Sequence, residues 1–172
     1  MVFASKYRRW IMDSLKPYIG RHIVEVGAGT GAFSEMLLAA RPASLTVLEP
    51  SSNLYSRLIK LLGPIDLTGV VQVYQSDFTD AWNGNTQIHT PDTAVYINVL
   101  EHIEDDETEL KTIFNALAPG GRILIFVPAL PFLMSSMDRG LGHFRRYTLP
   151  ALVAKCSSAG FIIKMARYFE FF

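Results

Sequence analysis

The stretch "EVGAGTG", residues 25–31, places three glycines within five positions, between an apolar run and a segment with the composition of a helix. Glycine adopts backbone angles that other residues avoid, and it leaves no side chain in the way of a ligand. Gly27 would permit a tight turn out of a strand, Gly29 would let a ligand approach the backbone, and Gly31 would allow close packing where the helix begins. The stretch therefore predicts a site at which either the pyrophosphate of a dinucleotide or another nucleoside cofactor approaches the main chain.

Short apolar runs alternate with segments of helical periodicity on both sides of this stretch. The runs that predict strands occupy residues 22–26, 44–49, 69–75, 93–100, 122–128 and 161–169. The segments that predict helices occupy residues 5–19, 32–40, 51–62, 105–117 and 148–160. Such alternation requires right-handed crossovers and a largely parallel sheet covered on both faces. We therefore expect an α/β, doubly wound, Rossmann-like fold with six strands in a mostly parallel sheet, and a ligand site beyond the carboxyl ends of the strands.

Composition and charge indicate one domain with no general attraction to polyanions. The chain has 172 residues, of which 49% are hydrophobic, enough for one substantial core. Its formal net charge is zero and its pI is about 6.9, so no overall field draws it to nucleic acid or anionic lipid. The single cysteine, Cys156, excludes an intrachain disulfide and is expected in the core. Because no segment reads as a signal peptide or a membrane span, we expect a cytoplasmic protein without an integral membrane segment.

The glycine pattern by itself leaves two cofactor classes open. Gly27, Gly29 and Ala32 also satisfy the dinucleotide pattern G-x-G-x-x-A. Glu49 ends the second predicted strand, where a carboxylate would accept hydrogen bonds from both ribose hydroxyls. A nicotinamide-dependent dehydrogenase would place an acid at the same position, so these features indicate a nucleoside-binding fold and no more.

Residues after the later strands discriminate between the two classes. Asp77 and Phe78 follow the third strand, where the carboxylate can accept an adenine amino group and the aromatic ring can pack on the base. "NVLEHIEDD" follows the fourth strand, and "LAPGGRILI" leads into the fifth. Taken together and in this order, these motifs resemble the class I S-adenosylmethionine-dependent methyltransferases. The resemblance extends from about residue 22 to residue 169, which is most of the chain.

The resemblance implies a role for each matched position. Glu25 would contact the methionine ammonium through water, the glycine turn would line methionine and ribose, and Asn98 with Val99 would border the methionine part. In that family the sheet usually ends in a seventh, antiparallel strand, which this sequence is expected to lack. The cofactor-binding residues implied are Glu25, Gly27, Ala28, Gly29, Thr30, Gly31, Glu49, Pro50, Asp77, Phe78, Asn98 and Val99.

Methyl transfer needs alignment more than it needs an elaborate catalytic set, but a base helps when the acceptor is a hydroxyl. His102, directly after the fourth strand, is the first candidate base. His143 and Tyr147 follow, in a loop over residues 129–147 that is long for a connection without a role. We interpret this loop, which also carries Arg139, Arg145 and Arg146, as a lid over an anionic or sugar-bearing acceptor.

The segment "MDRGLGHFRRYT" resembles a subgroup of small bacterial methyltransferases linked to surface-glycan, lipid or secondary metabolism. Some O-methyltransferases of ubiquinone biosynthesis and of small RNA carry E-x-x-E-H after strand four and bind a divalent ion. Here Asn98 replaces the first carboxylate, so we predict no metal, although Glu101, His102 and His143 could still hold one.

The resulting hypothesis is methyl transfer from S-adenosylmethionine to a small-molecule, lipid-linked or sugar-linked acceptor. A nicotinamide-dependent oxidoreductase and a non-catalytic partner protein that keeps the fold are the alternatives. Residues 1–20 would form a helix that either caps the cofactor site through Tyr7, Arg8, Arg9 and Trp10 or only packs on the sheet. An uncovered apolar edge at the last strand would favour pairing with a second copy, as a homodimer.

Overall fold

The protein is built on one parallel sheet. The computed structural model describes residues 2–65, 69–84 and 88–169. The strands in these ranges are β1 (His22–Val26), β2 (Ser44–Leu48), β3 (Val71–Tyr74), β4 (Thr93–Ile97) and β5 (Arg122–Phe126). They pair in parallel in the order β3-β2-β1-β4-β5. The chain runs outward from β1 to β3 and then crosses to the other side of β1, so strand order reverses between β1 and β4. Sheets of this kind bind their ligands at that crevice.

Seven helices lie in the described ranges. They are α1 (Val2–Leu15), α2 (Ala32–Ala39), α3 (Ser52–Leu62), α4 (Phe78–Asn83), α5 (Asp106–Ala116), α6 (Ser136–Gly140) and α7 (Leu149–Ser158). The longer helices match the predicted segments within a few residues, whereas α4 and α6 were not predicted, because six and five residues are too few to show a periodicity. Within the described ranges, none of the helices has the length and apolar character needed to cross a bilayer.

The sheet separates two apolar clusters, one on each face. Helices α1, α2 and α3 cover one face, where Met12, Leu37 and Leu58 pack with strand residues. Helices α4, α5 and α7 cover the other face, and Cys156 of α7 is buried there, as predicted. The central strands β1, β2 and β4 are therefore covered on both sides, which explains their nearly continuous apolar sequences.

The predicted sixth strand is wrong. Residues 161–169 form no strand, and residues 162–168 are all exposed, while residues 170–172 lie outside the described ranges. The β-branched and aromatic composition of this segment suggested a strand, but such composition reflects packing against neighbouring strands more than an intrinsic preference. Phe169 instead packs its ring edge-on against Phe126 of β5, with ring centroids 5.5 Å apart. The described sheet has five strands, so the expectation of six strands lacking only a seventh is corrected.

Candidate functional site

The glycine turn, residues 27–31, follows β1. One side of the turn is tightly packed and the other side is open. Gly27 has φ +64°, and a Cβ added there would lie 2.7 Å from a methyl group of Val99. Gly29 has φ +59°, and a Cβ there would meet nothing within 4 Å. Val99, which follows β4, thus forms the floor of the turn. The open side is the approach that a ligand requires.

A cavity of about 240 Å³ lies over this turn, at the crevice between β1 and β4. Asn98 lines it from the end of β4, with φ +53° and its N–H donated to the Phe126 carbonyl at 2.7 Å. The turn and the start of α2 form the opposite wall. The lining residues are Arg8, Glu25, Val26, Gly27, Ala28, Gly29, Thr30, Ala32, Phe33, Val95, Ile97 and Asn98.

Glu25 supplies the carboxylate of this cavity. Its side chain is buried and accepts a hydrogen bond from the Ser34 hydroxyl of α2. Burial raises the pKa of Glu25 to about 8, against the lowering effect of Ser34, and the nearby Glu49 raises it further. A group with this pKa is largely protonated at neutral pH. It is therefore ready to ionise when a cation enters the cavity.

Glu49, at the end of β2, fastens the turn from the other side. One carboxylate oxygen accepts the Gly29 N–H at 2.8 Å, and the other accepts the Ser51 N–H at 2.9 Å. The side chain is buried, and Pro50 beside it is exposed. Glu49 therefore joins the glycine turn to the start of α3, next to Glu25. It does not itself line the cavity over the turn.

Asp77 and Phe78 follow β3, as predicted, but Asp77 lies on the surface whereas Phe78 is buried. Asp77 is exposed and caps α4, accepting the Asp80 N–H at 2.8 Å. Phe78 is 0% exposed, and its ring stacks on Trp82 with centroids 6.0 Å apart. The expectation that the Phe78 ring packs on adenine is corrected, because the ring belongs to the core.

Three potentially reactive side chains meet just beyond Asn98. The rings of His102 and His143 lie edge to face, 4.6 Å apart. Glu101, His102 and His143 each offer one nitrogen or oxygen atom that could coordinate a metal, and these three atoms lie within 4.8 Å of one another. Glu101 is fully buried, and neither of its carboxylate oxygens has a hydrogen-bond partner among the described residues. Such a cluster can accept a proton or coordinate a divalent cation.

The electrostatics of the cluster follow from burial. Burial raises the pKa of Glu101 to about 7, and the positive charge of Arg146 opposes this rise. Burial, and then the neighbouring His143, lower the pKa of His102 below its ordinary value. His102 is therefore neutral at neutral pH, with a ring nitrogen lone pair that can take up a proton.

Asp138 is the site residue that sequence reasoning missed. It is 4% exposed, and it bonds to Nδ1 of His143 at 3.1 Å and to Nη2 of Arg146 at 2.7 Å. A reciprocal hydrogen-bonded cap with Ser135 opens α6. Hydrogen bonds from Ser135 and then from Arg146 hold the pKa of Asp138 well below its usual range. The signal for it was the Ser-x-x-Asp spacing of residues 135–138, which is typical of a helix cap.

Tyr147 has a structural position, which corrects its assignment as a catalytic residue. It is 4% exposed, and its hydroxyl donates to Asp106 at 2.7 Å and lies 3.1 Å from the Leu100 carbonyl. Burial and the bond to Asp106 raise the pKa of Tyr147 far above its usual range, so its proton is not available for transfer. Tyr147 holds the segment that carries His102.

Residues 129–147 are hereafter called the lid. Most of the arginines in the lid form ion pairs within the protein. Arg145 pairs with Asp106 at 2.8 Å and Arg146 pairs with Asp138 at 2.7 Å, whereas Arg139 is exposed. Of the residues expected to reach inward from α1, Arg8 lines the cavity and Arg9 is exposed. Trp10 packs on Phe169, with ring centroids 4.4 Å apart.

Comparison with known proteins gives the cleft its context. A family described as a methyltransferase domain matches residues 4–163. The ubiquinone biosynthesis O-methyltransferase of Aeromonas salmonicida is 23% identical over 171 residues, covering 90% of this chain and 68% of that protein. An O-methyltransferase of Pyrenophora dematioidea is 24% identical over 144 residues, covering 84% of this chain and 53% of that protein. The chain thus spans between about half and two thirds of these two relatives.

The fold is shared with solved methyltransferases. The S-adenosylmethionine-dependent methyltransferase from Mesorhizobium loti superposes with a TM-score of 0.71 at 18% identity, covering 94% of this chain and 84% of that one. The open glycine turn and the buried Glu25 carboxylate fit the cofactor of such proteins, whose methionine part carries an ammonium group. The family match decides between the two cofactor classes left open by the glycine pattern, in favour of S-adenosylmethionine and against a nicotinamide. The chain belongs to the methyltransferase domain family.

Proposed function

We propose that this domain transfers a methyl group from S-adenosylmethionine to a hydroxyl of a small-molecule, lipid-linked or sugar-linked acceptor. The observation that carries the proposal is the pair of imidazoles of His102 and His143, with Nδ1 of His143 fixed by the buried Asp138. A ring oriented in this way through one nitrogen presents the other as a proton acceptor. The O-methyltransferase relatives support a hydroxyl as the acceptor group.

Each part of the cleft then has a defined task. When bound, the cofactor supplies a methyl group already activated by its sulfonium. Glu25 and the glycine turn hold its methionine part, Glu49 holds the ribose, Asp77 receives the adenine amino group, and Asn98 with Val99 borders the methionine part. Alignment of this kind contributes about 7–11 kcal/mol to lowering a barrier. The His102–His143 pair takes the acceptor proton, α1 caps the cofactor through Arg8, and the lid covers the acceptor.

The test is transfer of isotope-labelled methyl from S-adenosylmethionine to a panel of catechols, sugars and prenylated phenols. Labelled product from a hydroxyl acceptor is expected. Binding of S-adenosylhomocysteine without transfer to any member would instead favour the non-catalytic partner protein. Transfer only to amines or thiols would refute the hydroxyl assignment.

Glu49→Ala is expected to weaken S-adenosylhomocysteine binding about tenfold to a hundredfold in calorimetry. The substitution removes a charged acceptor from two N–H groups, and such bonds contribute about 1.5–3 kcal/mol each, of which part supports folding. Glu35→Ala is the matched control, because Glu35 is an exposed carboxylate in the first turn of α2. Equal affinities for the two variants would contradict the ribose assignment.

Cofactor binding is expected to release a proton from Glu25 at pH 7. Its pKa is raised to about 8 in the free protein, and an ammonium group in the cavity would favour the ionised form. Calorimetric titration with S-adenosylhomocysteine in buffers of different ionisation enthalpy measures the number of protons released on binding. This number should approach one for the wild type and zero for Glu25→Gln.

The same shift in Glu25 makes the free energy of unfolding pH-dependent. The folded protein binds the proton of the Glu25 carboxyl more tightly than the unfolded chain does. This proton binding therefore stabilises the fold fully below the unfolded pKa, near 4.5, and the stabilisation is lost as the pH rises to about 8. The Glu25→Gln variant should lack this slope. A wild-type slope of zero over the same range would refute the pKa assignment.

A further inference from the structure

The exposed apolar surface of this protein is concentrated in two segments. Ten of the thirteen large hydrophobic side chains that are exposed in the described ranges lie in the lid or in residues 161–169, hereafter the tail. Phe132 is 80% exposed, Met137 73%, and Ile162 80%. Single exposed hydrophobic residues are ordinary, but clusters of them mark interaction surfaces.

The lid is held with its carboxylate inward. Its base is closed by hydrogen bonds between Leu130 and Tyr147, 3.0 Å, and between Tyr147 and Pro128, 3.0 Å. Its one carboxylate, that of Asp138, is buried against Arg146 and His143. Because these bonds fix the inner side of the loop, the apolar side chains that flank Asp138 face solvent.

The exposed charges of residues 129–169 have one sign. Residues 139–169 contain no aspartate or glutamate, so the zero net charge of the whole chain conceals a basic section at this end. Three of its cations pair with acids of α5 or the lid: Arg145, Arg146 and Lys155. The three that remain on the surface are Arg139, Lys164 and Arg167. Exposed cations thus lie among the exposed apolar residues without an exposed acid between them.

The two segments are joined at the β5 end of the sheet. The Tyr168 hydroxyl of the tail accepts the N–H of Leu149, the second residue after the lid, at 2.9 Å. Phe169 also packs on Phe126 of β5, the strand that leads into the lid. Helix α3 packs on β3, at the opposite edge of the sheet. The basic and apolar residues therefore belong to one end of the molecule.

We propose that the lid and the tail together dock the protein on an anionic membrane surface. Aliphatic and phenyl side chains would enter the boundary between headgroups and acyl chains, while Arg139, Lys164 and Arg167 would contact anionic headgroups. Nucleic acid fits less well, since its affinity rests on many phosphate contacts and its bases stack on aromatic platforms. The candidate acceptor site includes His143 of this same lid, with His102 4.6 Å from it, so docking would bring the site to an amphiphile held in the bilayer.

Co-sedimentation of the full chain with vesicles tests the proposal. The protein should bind vesicles of equal parts phosphatidylglycerol and phosphatidylcholine, and bind phosphatidylcholine alone at least about tenfold more weakly. Arg139→Gln with Lys164→Gln should weaken binding roughly fivefold for each cation removed, and so should added salt. The double variants Phe132→Ser/Met137→Ser and Ile162→Ser/Met165→Ser should each lose binding about tenfold or more.

Ile59→Ser/Ile65→Ser is the matched control, since these side chains are 44% and 46% exposed and lie in or just after α3. This control should bind vesicles as the wild type does. S-adenosylhomocysteine affinity, measured on every variant, shows that the fold is intact and also tests the cofactor site separately. If the wild type does not bind S-adenosylhomocysteine, the proposed methyl transfer is refuted, whereas the result of vesicle binding is unaffected.

The proposal is overturned if the wild type does not sediment with anionic vesicles, or if both apolar double variants bind as it does. It is overturned equally if the protein binds single-stranded DNA but not vesicles. A dimer in sedimentation velocity that these variants dissociate, without vesicle binding, would assign the surface to a second copy instead.

Discussion

Replacing His143 by asparagine is expected to lower kcat by about 10²–10⁴-fold, with little change in the KM for S-adenosylmethionine. The imidazole is held by Asp138 through Nδ1, at 3.1 Å, and lies 4.6 Å from the ring of His102. Asparagine retains a polar group near Asp138 but cannot accept a proton. The cofactor side of the cleft is left intact, so the loss should fall on kcat.

Two further variants separate the roles within this cluster. Asp138→Asn keeps the shape but removes the charge that orients His143, so it should lose less activity and shift the pH profile. His102→Asn should also lose less, because no carboxylate in the described ranges orients the His102 ring as Asp138 orients that of His143. His89→Asn is the control, since His89 is exposed and lies beside His22.

The pH profile and chelation distinguish proton acceptance from cation binding. Activity should fall toward acid pH, because only a neutral imidazole accepts a proton. Dialysis against a chelator should leave the activity unchanged. If chelation abolishes activity and a divalent cation restores it, the cluster of Glu101, His102 and His143 holds a metal and the base assignment is wrong.

Gly27→Ala is expected to reduce the free energy of unfolding by about 2–5 kcal/mol. The left-handed backbone at φ +64° costs an alanine about 1–2 kcal/mol. The new Cβ would also lie 2.7 Å from a Val99 methyl group, and relieving such overlap costs about 1–3 kcal/mol more. Urea unfolding of the purified variant measures the sum.

Gly29→Ala is the internal control for this prediction. Its φ is +59°, nearly the same, yet its Cβ would meet nothing within 4 Å, so only the backbone strain of about 1–2 kcal/mol should appear. Adding Val99→Ala to Gly27→Ala should give a coupling energy of about 1–3 kcal/mol in a double-mutant cycle. Additive effects in that cycle would show that Val99 does not support the turn.

What could be predicted from the sequence was what neighbouring residues determine. Residues 22–26 form a strand as predicted, since a β-branched run before a glycine turn has few other structures available. Thr148 opens the predicted helix over residues 148–160 and caps α7 by accepting the Ala151 N–H, an interaction that also involves only neighbouring residues. The convergence of Glu25, the glycine turn and Asn98 on one crevice followed from the rule that parallel strands end at the same edge of a sheet.

What could not be predicted depends on partners distant in the chain. Tyr147 became a structural residue because Asp106, forty-one positions away, receives its hydroxyl. Phe78 could have faced the cleft or the core, and only the packing of α4 against α5 decided it. Residues 161–169 have the composition of a strand, but they pair with none of the five strands of the described sheet, not even with β5 at its edge.

The short segment from Asn98 to His102 has a consequence for the order in which ligands act. It borders the cofactor cavity at one end and carries the candidate base at the other, and it is fastened at its middle by the Tyr147 hydroxyl on the Leu100 carbonyl. A shift imposed at either end must reach the other within five residues. Cofactor and acceptor binding should therefore be coupled, each changing the affinity for the other by the same factor, as linkage requires.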